Sequence, residues 1–239
     1  MGQHGEYGAL VRLFVSLTLC AALLPGAASA CRLALVLALD VSSSVDETEY
    51  FLQRDGVAAA LVSEDVIRAI TQDGPIALAI YEWSGRRQSS IVQDWVMLGT
   101  RTEIEAVATR LYGAERSYRR FPTALGFALG FGAELLQRAP SCDRRVIDVS
   151  GDGVTNDGFG PFYAYKHFPF DGVTVNGLAV LGADPAVMEH FEFEVLHGPG
   201  AFLEAAEGYE GYQNAMERKL FREISDRIVS DLRPQKPYP

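Results

Sequence analysis

The sequence is poor in cysteine and lacks the metal and redox motifs built on that residue. Its 239 residues include three cysteines, Cys20, Cys31 and Cys142, with no C-x-x-C pair and no Cys/His cluster. The histidines also lack the spacing of zinc ligands, and we interpret His190 and His197 as surface or packing residues. These absences argue against a zinc site built from cysteine and histidine.

Positive charge is scarce in this sequence as well. The chain has 21 Lys and Arg against 31 Asp and Glu, a formal net charge of −10, and it contains no Lys/Arg run. Residues 1–30 hold one Arg and one Glu, so the rest of the chain keeps the whole net charge. An acidic chain of this kind repels nucleic acid and anionic lipid, and we expect neither of them as the partner.

A hydrophobic run long enough to span a membrane is also missing. The apolar stretch from Leu13 to Leu24 is too short to cross a bilayer, and no second span follows it. With Arg12 before it and Ala28-Ser29-Ala30 after it, this stretch predicts a secretory signal peptide over residues 1–30. We expect an exported protein, periplasmic or secreted, whose residues 31–239 form a single domain with a loose C-terminal tail.

What the sequence does contain is a regular alternation of strands and helices. Residues 32–39 are almost continuously apolar, which predicts a strand buried on both faces, as in a parallel sheet covered by helices. Further strands are predicted at 76–83, 90–98, 145–150 and 173–181, with a short sixth strand near 201–203. Helices are predicted at 46–70, 102–111, 123–138 and 214–232.

This alternation predicts an α/β fold with a doubly wound, mostly parallel central sheet and helices on both faces. The strand at 90–98 is mixed in composition and is expected at an edge. Ser63 is expected to cap a second helix at 64–70, and Thr102 with Glu105 has the pattern of a capping box. Such sheets bind ligands beyond the carboxyl ends of their strands, so the loops that follow the strands carry the function.

Three stretches supply oxygen ligands at this predicted edge. The first strand ends in Asp40, followed by Ser42 and Ser44; Asp152 follows the fourth strand; and Thr123 opens the Gly- and Ala-rich helix between them. Two carboxylates and three hydroxyls suit Mg²⁺, which binds about six oxygens and keeps some waters, and Mn²⁺ or Ca²⁺ could replace it. Each stretch alone is typical of a strand end, a turn or a helix cap. Their occurrence together predicts one divalent metal site.

On these residues the sequence resembles the von Willebrand factor A-type (vWA) family. The DVSSS stretch that begins at Asp40 matches the family's D-x-S-x-S motif, Thr123 its middle threonine, and Asp152-Gly153 its D-G motif. The resemblance covers nearly all of residues 32–232 and implies that the three motifs form a metal-ion-dependent adhesion site. The implied ligands, some of them through water, are Asp40, Ser42, Ser44, Thr123 and Asp152.

The resemblance is closest to an uncharacterised exported bacterial subgroup of that family. The stretches shared with this subgroup are EWSG at 82–85, RRVIDVSGDG at 144–153 and GPGAF at 198–202. One residue departs from the general family pattern, because Gly151 precedes the D-G motif where Ser or Thr is usual.

Glu82 and Trp83 end the second predicted strand at the same edge as the proposed metal site. Two interpretations are open: the pair forms a ligand rim beside the ion, or Trp83 packs under the loops as a lid while Glu82 bonds to backbone. Asp148 lies inside an otherwise apolar strand, and it must have a partner or lie near the strand end, because an unpaired buried charge is costly.

The two cysteines of the predicted mature chain form an even pair in an oxidising compartment. Cys31 lies nine residues before Asp40, and Cys142 lies ten before Asp152. In the vWA strand order the first and fourth strands are neighbours, so counting back along them brings both cysteines to the opposite edge, within reach of a disulfide. The alternative is a lipoprotein anchored at Cys31, although the residue three positions before it is not the usual Leu.

The resemblance implies a binding function. An ion held by two carboxylates and three neutral hydroxyls keeps positive charge, and we expect an adhesion-type module that holds the Asp or Glu of a protein partner. The alternative is a metal-assisted hydrolase at the same site, for which Glu82 is the one base suggested by location. The motifs G-x-S-x-G, H-E-x-x-H and the P-loop are missing, so we expect a binding module rather than an enzyme.

Overall fold

The structure, a computed structural model, describes Met1, Gly2 and residues 31–225. The predicted signal peptide beyond its first two residues, the predicted tail and the end of the last predicted helix at 232 lie outside the described residues. Within the described part of the chain, no helix is both long enough and apolar enough to span a bilayer.

The chain forms a six-stranded sheet in the order β3-β2-β1-β4-β5-β6. Neighbouring strands are parallel except β2 and β3, which pair antiparallel at one edge. The predicted doubly wound, mostly parallel sheet and the edge position of its third strand are therefore confirmed. The strands are β1 (Cys31–Asp40), β2 (Ile76–Trp83), β3 (Ser89–Leu98), β4 (Cys142–Gly151), β5 (Val173–Val180) and β6 (Leu203–Ala206).

Helices cover both faces of the sheet because successive side chains of a strand point to opposite faces. Leu35 and Leu37 of β1 belong to a core shared with α1, α2, α3 and α7, whereas Val36 belongs to a core shared with α4, α5 and α6. The helices are α1 (Glu47–Leu61), α2 (Glu64–Gln72), α3 (Arg101–Tyr112), α4 (Leu125–Leu136), α5 (Pro161–His167), α6 (Val187–His190) and α7 (Tyr212–Ile224). A π-helical turn (Phe191–Val195) continues α6, and a 3₁₀ turn (Tyr209–Gly211) precedes α7.

The start of α3 corrects one prediction. Its capping box consists of Thr100 and Glu103, so the box predicted at Thr102 and Glu105 is wrong by two residues. Thr100 has the extended backbone that an N-cap requires, whereas Thr102 already lies inside the helix. Ser63 does precede α2, but its side chain makes no capping hydrogen bond.

Several other boundaries also differ from the predictions. The helix predicted from Thr123 begins at Leu125, and the sixth strand lies at 203–206 rather than 201–203. The segment before this strand is helical over 187–195. Helix α5 was not predicted, because seven residues are too few to show an apolar periodicity.

A disulfide joins the start of β1 to the start of β4. Cys31 and Cys142 are register partners in the parallel ladder, with their Cα atoms 4.5 Å apart. This is the predicted pair at the edge of the sheet opposite to the carboxyl ends.

Candidate metal centre

The two aspartates of the predicted site come together because β1 and β4 are adjacent strands. Leu39 of β1 lies beside Ser150 of β4, so Asp40 and the loop that begins at Asp152 leave the sheet at the same point. This is also where the strand order reverses, the usual position of a ligand site in an open α/β sheet. Both carboxyl groups are buried, with Asp40 0% and Asp152 1% exposed.

Hydrogen bonds connect the D-x-S-x-S loop to both aspartates. The backbone N–H of Ser42 donates to Asp40 Oδ1 at 2.7 Å. The hydroxyl of Ser44 donates to Asp152 Oδ1 at 2.7 Å, and the Ser42 and Ser44 hydroxyl oxygens lie 3.0 Å apart. Four of the five predicted ligand side chains therefore form one continuous cluster.

Thr123, the fifth predicted ligand, is tied to the loop that follows Asp152. Its N–H donates to Asn156 Oδ1 at 2.9 Å, and its carbonyl oxygen accepts from the Asn156 N–H at 2.9 Å. The residue is 4% exposed and precedes α4, which begins two residues later. The reciprocal bonds with Asn156 hold Thr123 at the carboxyl edge of the sheet.

Two carboxylate oxygens of the cluster have no partner within the described part of the chain, Asp40 Oδ2 and Asp152 Oδ2. Leaving a buried oxygen unpaired is costly, and native proteins seldom do so. Burial, and then the nearby Asp152 carboxyl, raises the pKa of Asp40 to about 8. Burial also raises the pKa of Asp152, although the hydrogen bond from Ser44 opposes that shift. A cation between the two carboxylates would give both unpaired oxygens a partner and would offset the cost of burying their charge.

Gly151, the departure from the general family pattern, lies against one of these oxygens, Asp40 Oδ2. A Cβ atom at this position would stand 3.1 Å from Asp40 Oδ2 and 3.5 Å from the Trp83 ring. A side chain here would therefore crowd the unpaired oxygen of Asp40. The glycine keeps the space next to that oxygen open.

Two residues that the sequence analysis did not identify hold the β1 loop in place. Gln53 of α1 donates from Nε2 to the Asp40 carbonyl oxygen at 2.8 Å. The Arg116 guanidinium donates to the carbonyl oxygens of Val41 and Ser42, at 3.1 and 2.9 Å. Both residues act on backbone oxygens of distant segments, and no local pattern marks such a role. They fix the backbone from which the predicted ligands project.

The structure corrects the ligand-rim interpretation of Glu82 and Trp83. Glu82 is 2% exposed, and its two oxygens accept from the Tyr50 hydroxyl at 2.9 Å and the Ser117 N–H at 2.7 Å. Trp83 is 1% exposed and packs in the core that β1 shares with α4. Buried side chains cannot contact a partner. The pair instead has a structural role, in which Glu82 bonds to the segment at Ser117 and Trp83 packs in the core.

Asp148 lies away from the metal centre, in a buried ion cluster under α7. Lys219 Nζ lies 2.9 Å from Asp148 Oδ1 and 3.0 Å from Glu223 Oε1. Asn176 donates to Glu223 at 2.8 Å and accepts from the Phe202 N–H at 2.9 Å. This network gives Asp148 the partner that burial requires, and it connects the stretch at 198–202 to α7.

A groove of about 570 Å³ opens beside the loop that follows Asp152. Val154 and Thr155 line it from this loop, and Phe193 lines it from the π-helical turn. His190 lies at its wall, 7% exposed and 3.3 Å from the Thr155 hydroxyl, as a packing residue. Phe193, in contrast, is 74% exposed, which places an apolar surface close to the metal edge.

The donor set of the candidate centre is distinctive for its hydroxyls. Among the described residues, no group of three or more His, Cys, Asp or Glu side chains is arranged to hold a metal ion. The candidate centre instead brings the two carboxylates together with the hydroxyls of Ser42 and Ser44, which are hard oxygen donors.

Solved structures of vWA-type proteins have the same fold. Proximal thread matrix protein 1 (PTMP1) from the mussel byssus has a TM-score of 0.61 at 14% identity, covering 80% of this chain and 47% of that chain. A von Willebrand factor type A protein from Catenulispora acidiphila has a TM-score of 0.55 at 12% identity, covering 82% of this chain and 42% of that chain. The pilus adhesin SpaC from Lactobacillus rhamnosus GG has a TM-score of 0.59 at 12% identity, covering 82% of this chain and 31% of that chain. The chain spans less than half the length of each, and the likeness shows the fold alone.

The chain thus has a vWA-type fold. The chain belongs to the family described as "Protein of unknown function (DUF1194)", whose model matches residues 30–228. A comparison with curated proteins gives no match. One further structure of PTMP1 is described as having a zinc-occupied MIDAS motif, the metal-ion-dependent adhesion site of that protein.

Proposed function

We propose that this protein is an exported, metal-dependent binding module of the adhesion type. The observation that carries the proposal is the pair of buried, unpartnered carboxylate oxygens, Asp40 Oδ2 and Asp152 Oδ2, where β1 and β4 end side by side. A divalent cation is the partner that two such oxygens need, because it neutralises both carboxylates at once.

The proposed ligands are Asp40, Ser42, Ser44, Thr123 and Asp152. Oxygen donors of this kind suit Mg²⁺, with Mn²⁺ or Ca²⁺ as replacements. The zinc in the MIDAS motif of PTMP1 supports a divalent ion in this type of site. When bound, the ion supplies positive charge at the surface, and Gln53 and Arg116 of this chain keep the ligand loop in position for it.

The proposed partner is a protein that presents an Asp or Glu to the ion. Two carboxylates and three neutral hydroxyls leave the ion with positive charge, whereas the chain as a whole has a formal net charge of −10. One small patch would then attract an acidic group that the rest of the surface repels. Ser43 and Ser44 are exposed, and Phe193 nearby offers apolar contact area to the same partner. SpaC, a pilus adhesin of the same fold, supports a protein-binding role.

The second hypothesis, a metal-assisted hydrolase, has no specific observation in its favour. It would need a base near the ion, and Glu82 was the residue suggested by location. Both Glu82 oxygens already accept hydrogen bonds, from Tyr50 and Ser117, in the interior. We therefore propose binding without catalysis.

The proposed location is the periplasm or the exterior of the cell. The disulfide between Cys31 and Cys142 supports this, because disulfides persist in oxidising compartments. The N-terminal pattern of a signal peptide is the second argument, and the mature domain would then comprise residues 31–239 with a loose tail.

The first prediction concerns the metal itself. Calorimetric titration of the mature protein with Mg²⁺ or Mn²⁺ is expected to show about one site. Asp40→Ala should abolish this binding while circular dichroism shows an intact fold, because the variant removes a ligand and also an unpaired buried carboxylate. Asp65→Ala, a change at an exposed position of α2, is the matched control and should bind like the wild type. Equal metal affinity of Asp40→Ala and the wild type would show that the site is assigned wrongly.

The second prediction concerns the partner. A protein isolated on immobilised wild type in Mg²⁺ should dissociate in EDTA and bind again when Mg²⁺ is restored. Replacing the acidic residue of that protein that reaches the ion by Ala should abolish binding too, because the carboxylate is the group that the ion holds. Surface plasmon resonance measures all three conditions. Binding that is insensitive to every one of them would mean that the partner surface lies elsewhere.

A further inference from the structure

Three buried side chains form a continuous hydrogen-bond chain that ends on the backbone of Asp40. The Tyr212 hydroxyl donates to Ser150 Oγ at 3.0 Å, and the Ser150 hydroxyl donates to Gln53 Oε1 at 3.3 Å. Gln53 Nε2 in turn donates to the Asp40 carbonyl oxygen at 2.8 Å. Tyr212 and Ser150 are 0% exposed and Gln53 is 1% exposed, so water has little access to these bonds.

The direction of the bonds in this hydrogen-bond chain is set from its Asp40 end. A carbonyl oxygen can only accept, so Gln53 must turn its NH₂ group toward Asp40 and its own oxygen toward Ser150. The Ser150 hydroxyl has one hydrogen, for which Gln53 Oε1 and, at 3.4 Å, the Ala38 carbonyl oxygen are acceptors. The bond from Tyr212 occupies a lone pair of Ser150 Oγ and so keeps that hydrogen turned toward those two acceptors.

The hydrogen-bond chain joins the elements that meet at the candidate metal centre. Tyr212 is the first residue of α7, Gln53 lies on α1, and Ser150 lies on β4 two residues before Asp152. Its last acceptor belongs to Asp40, the final residue of β1. The hydrogen-bond chain therefore acts on the backbone from which one of the two carboxylates of the centre projects.

A second buried tyrosine provides a contrast. The Tyr81 hydroxyl is also 0% exposed, and it donates to the Ala128 carbonyl oxygen of α4 at 2.7 Å. That bond joins β2 to a helix backbone, as is common for a tyrosine in a core. The Tyr212 hydroxyl instead bonds to a side chain, and two further side-chain bonds carry its effect to Asp40.

We infer that Tyr212 and Ser150 are positioning residues of the metal centre, which act through Gln53 on the backbone of Asp40. This inference rests on the proposed function, since it concerns how a ligand of that ion is held. Loss of one buried partner leaves the next polar group unsatisfied, so the Gln53 amide is no longer fixed in one orientation. The Asp40 carboxylate must then be ordered when the ion binds, which lowers the affinity for the ion.

The test uses Tyr212→Phe in the full mature protein, with Mg²⁺ and Mn²⁺ as the probes. Calorimetry should show a dissociation constant about 2- to 10-fold above that of the wild type, the factor that one neutral hydrogen bond commonly contributes. The rise of the melting temperature on adding Mg²⁺ should be smaller as well. Ser150→Ala interrupts the same hydrogen-bond chain at its centre with a small side chain, and it should change both quantities in the same direction. This second variant decides the question if Tyr212→Phe does not fold.

A double-mutant cycle separates positioning from general destabilisation. Gln53→Met removes the last bond to Asp40 and should raise the dissociation constant by about 10- to 100-fold, as outer partners of metal ligands commonly do. In this background Tyr212→Phe should raise the dissociation constant no further, because its route to Asp40 is already interrupted. A factor for Tyr212→Phe that is the same with and without Gln53 would overturn the inference.

Tyr81→Phe is the matched control, since it also removes a buried, bonded hydroxyl. Like Tyr212→Phe it should lower the melting temperature in EDTA, but it should leave the dissociation constant for the ion unchanged. If Tyr212→Phe and Ser150→Ala bind the ions as tightly as a metal-binding wild type, the inference is overturned and the proposed function stands. A wild type that binds neither ion would overturn the proposed function, and the inference with it.

Discussion

Replacing Lys219 by Met is expected to lower the free energy of unfolding by about 3–5 kcal/mol. The Lys219 side chain is fully buried, and its ammonium group contacts the carboxyl groups of Asp148 and Glu223. Methionine keeps the length of the chain but removes the cation, so two neighbouring carboxyl groups remain in the interior without a counter-charge. Urea unfolding of the protein with its disulfide intact, followed by circular dichroism, measures the loss.

Lys166→Met is the control, because Lys166 is exposed at the end of α5 and its replacement should cost little stability.

The loss of stability in Lys219→Met should also depend on pH. Burial, and then Glu223, raises the pKa of Asp148 well above its ordinary value, and Lys219 opposes that rise. Without the lysine the folded-state pKa rises further, so the variant is least impaired below the ordinary pKa of a carboxyl group and loses stability as pH increases from there toward the raised pKa. A loss below about 1 kcal/mol at neutral pH would contradict the buried ion cluster.

The second large effect is expected from the disulfide. Changing both Cys31 and Cys142 to Ala should lower the free energy of unfolding by up to about 4–5 kcal/mol, because the bond closes a loop between residues 111 positions apart. Reduced wild type and the double variant should unfold at the same denaturant concentration. The variant Cys31→Ala alone should be as unstable as the double variant, since the bond needs both sulfurs.

Thiol titration of the unreduced, exported protein tests the disulfide directly. Two free thiols would exclude the disulfide, and a diacylglycerol group on Cys31 found by mass spectrometry would do the same. In the structure the two cysteines are neighbours at the start of adjacent parallel strands, which is a position that supports a bond without rearrangement of the backbone.

The predicted ligands could be found in the sequence because each lies in a short motif next to a long apolar run. The run at 32–39 marks β1 as buried on both faces, and it places Asp40 at the strand's carboxyl end. The same reasoning applies to Asp152 after β4. Local patterns suffice here, since the edge of the sheet at which a residue lies follows from where its strand ends.

The residues that support those ligands could not be found in this way. Gln53 and Arg116 reach the centre from α1 and from the segment before α4. Gln53 and Arg116 bond to main-chain carbonyl oxygens, which every sequence offers at every position. Which side chain reaches which carbonyl depends on how the loops cross, and a local sequence pattern does not contain that information.

The sequence by itself determined the α/β class and the mostly parallel sheet, because the alternation of strands and helices follows from the pattern of apolar residues. The cysteine pair followed from the strand order that the resemblance to the vWA family implied. Only the tertiary structure decided that Glu82 and Trp83 are buried supports and that Asp148 is paired with Lys219 from α7. The physical reason is that burial of apolar surface is roughly additive along the chain, whereas a polar group needs a particular partner about 3 Å away. Such partners are chosen only when the helices and loops have packed on the sheet.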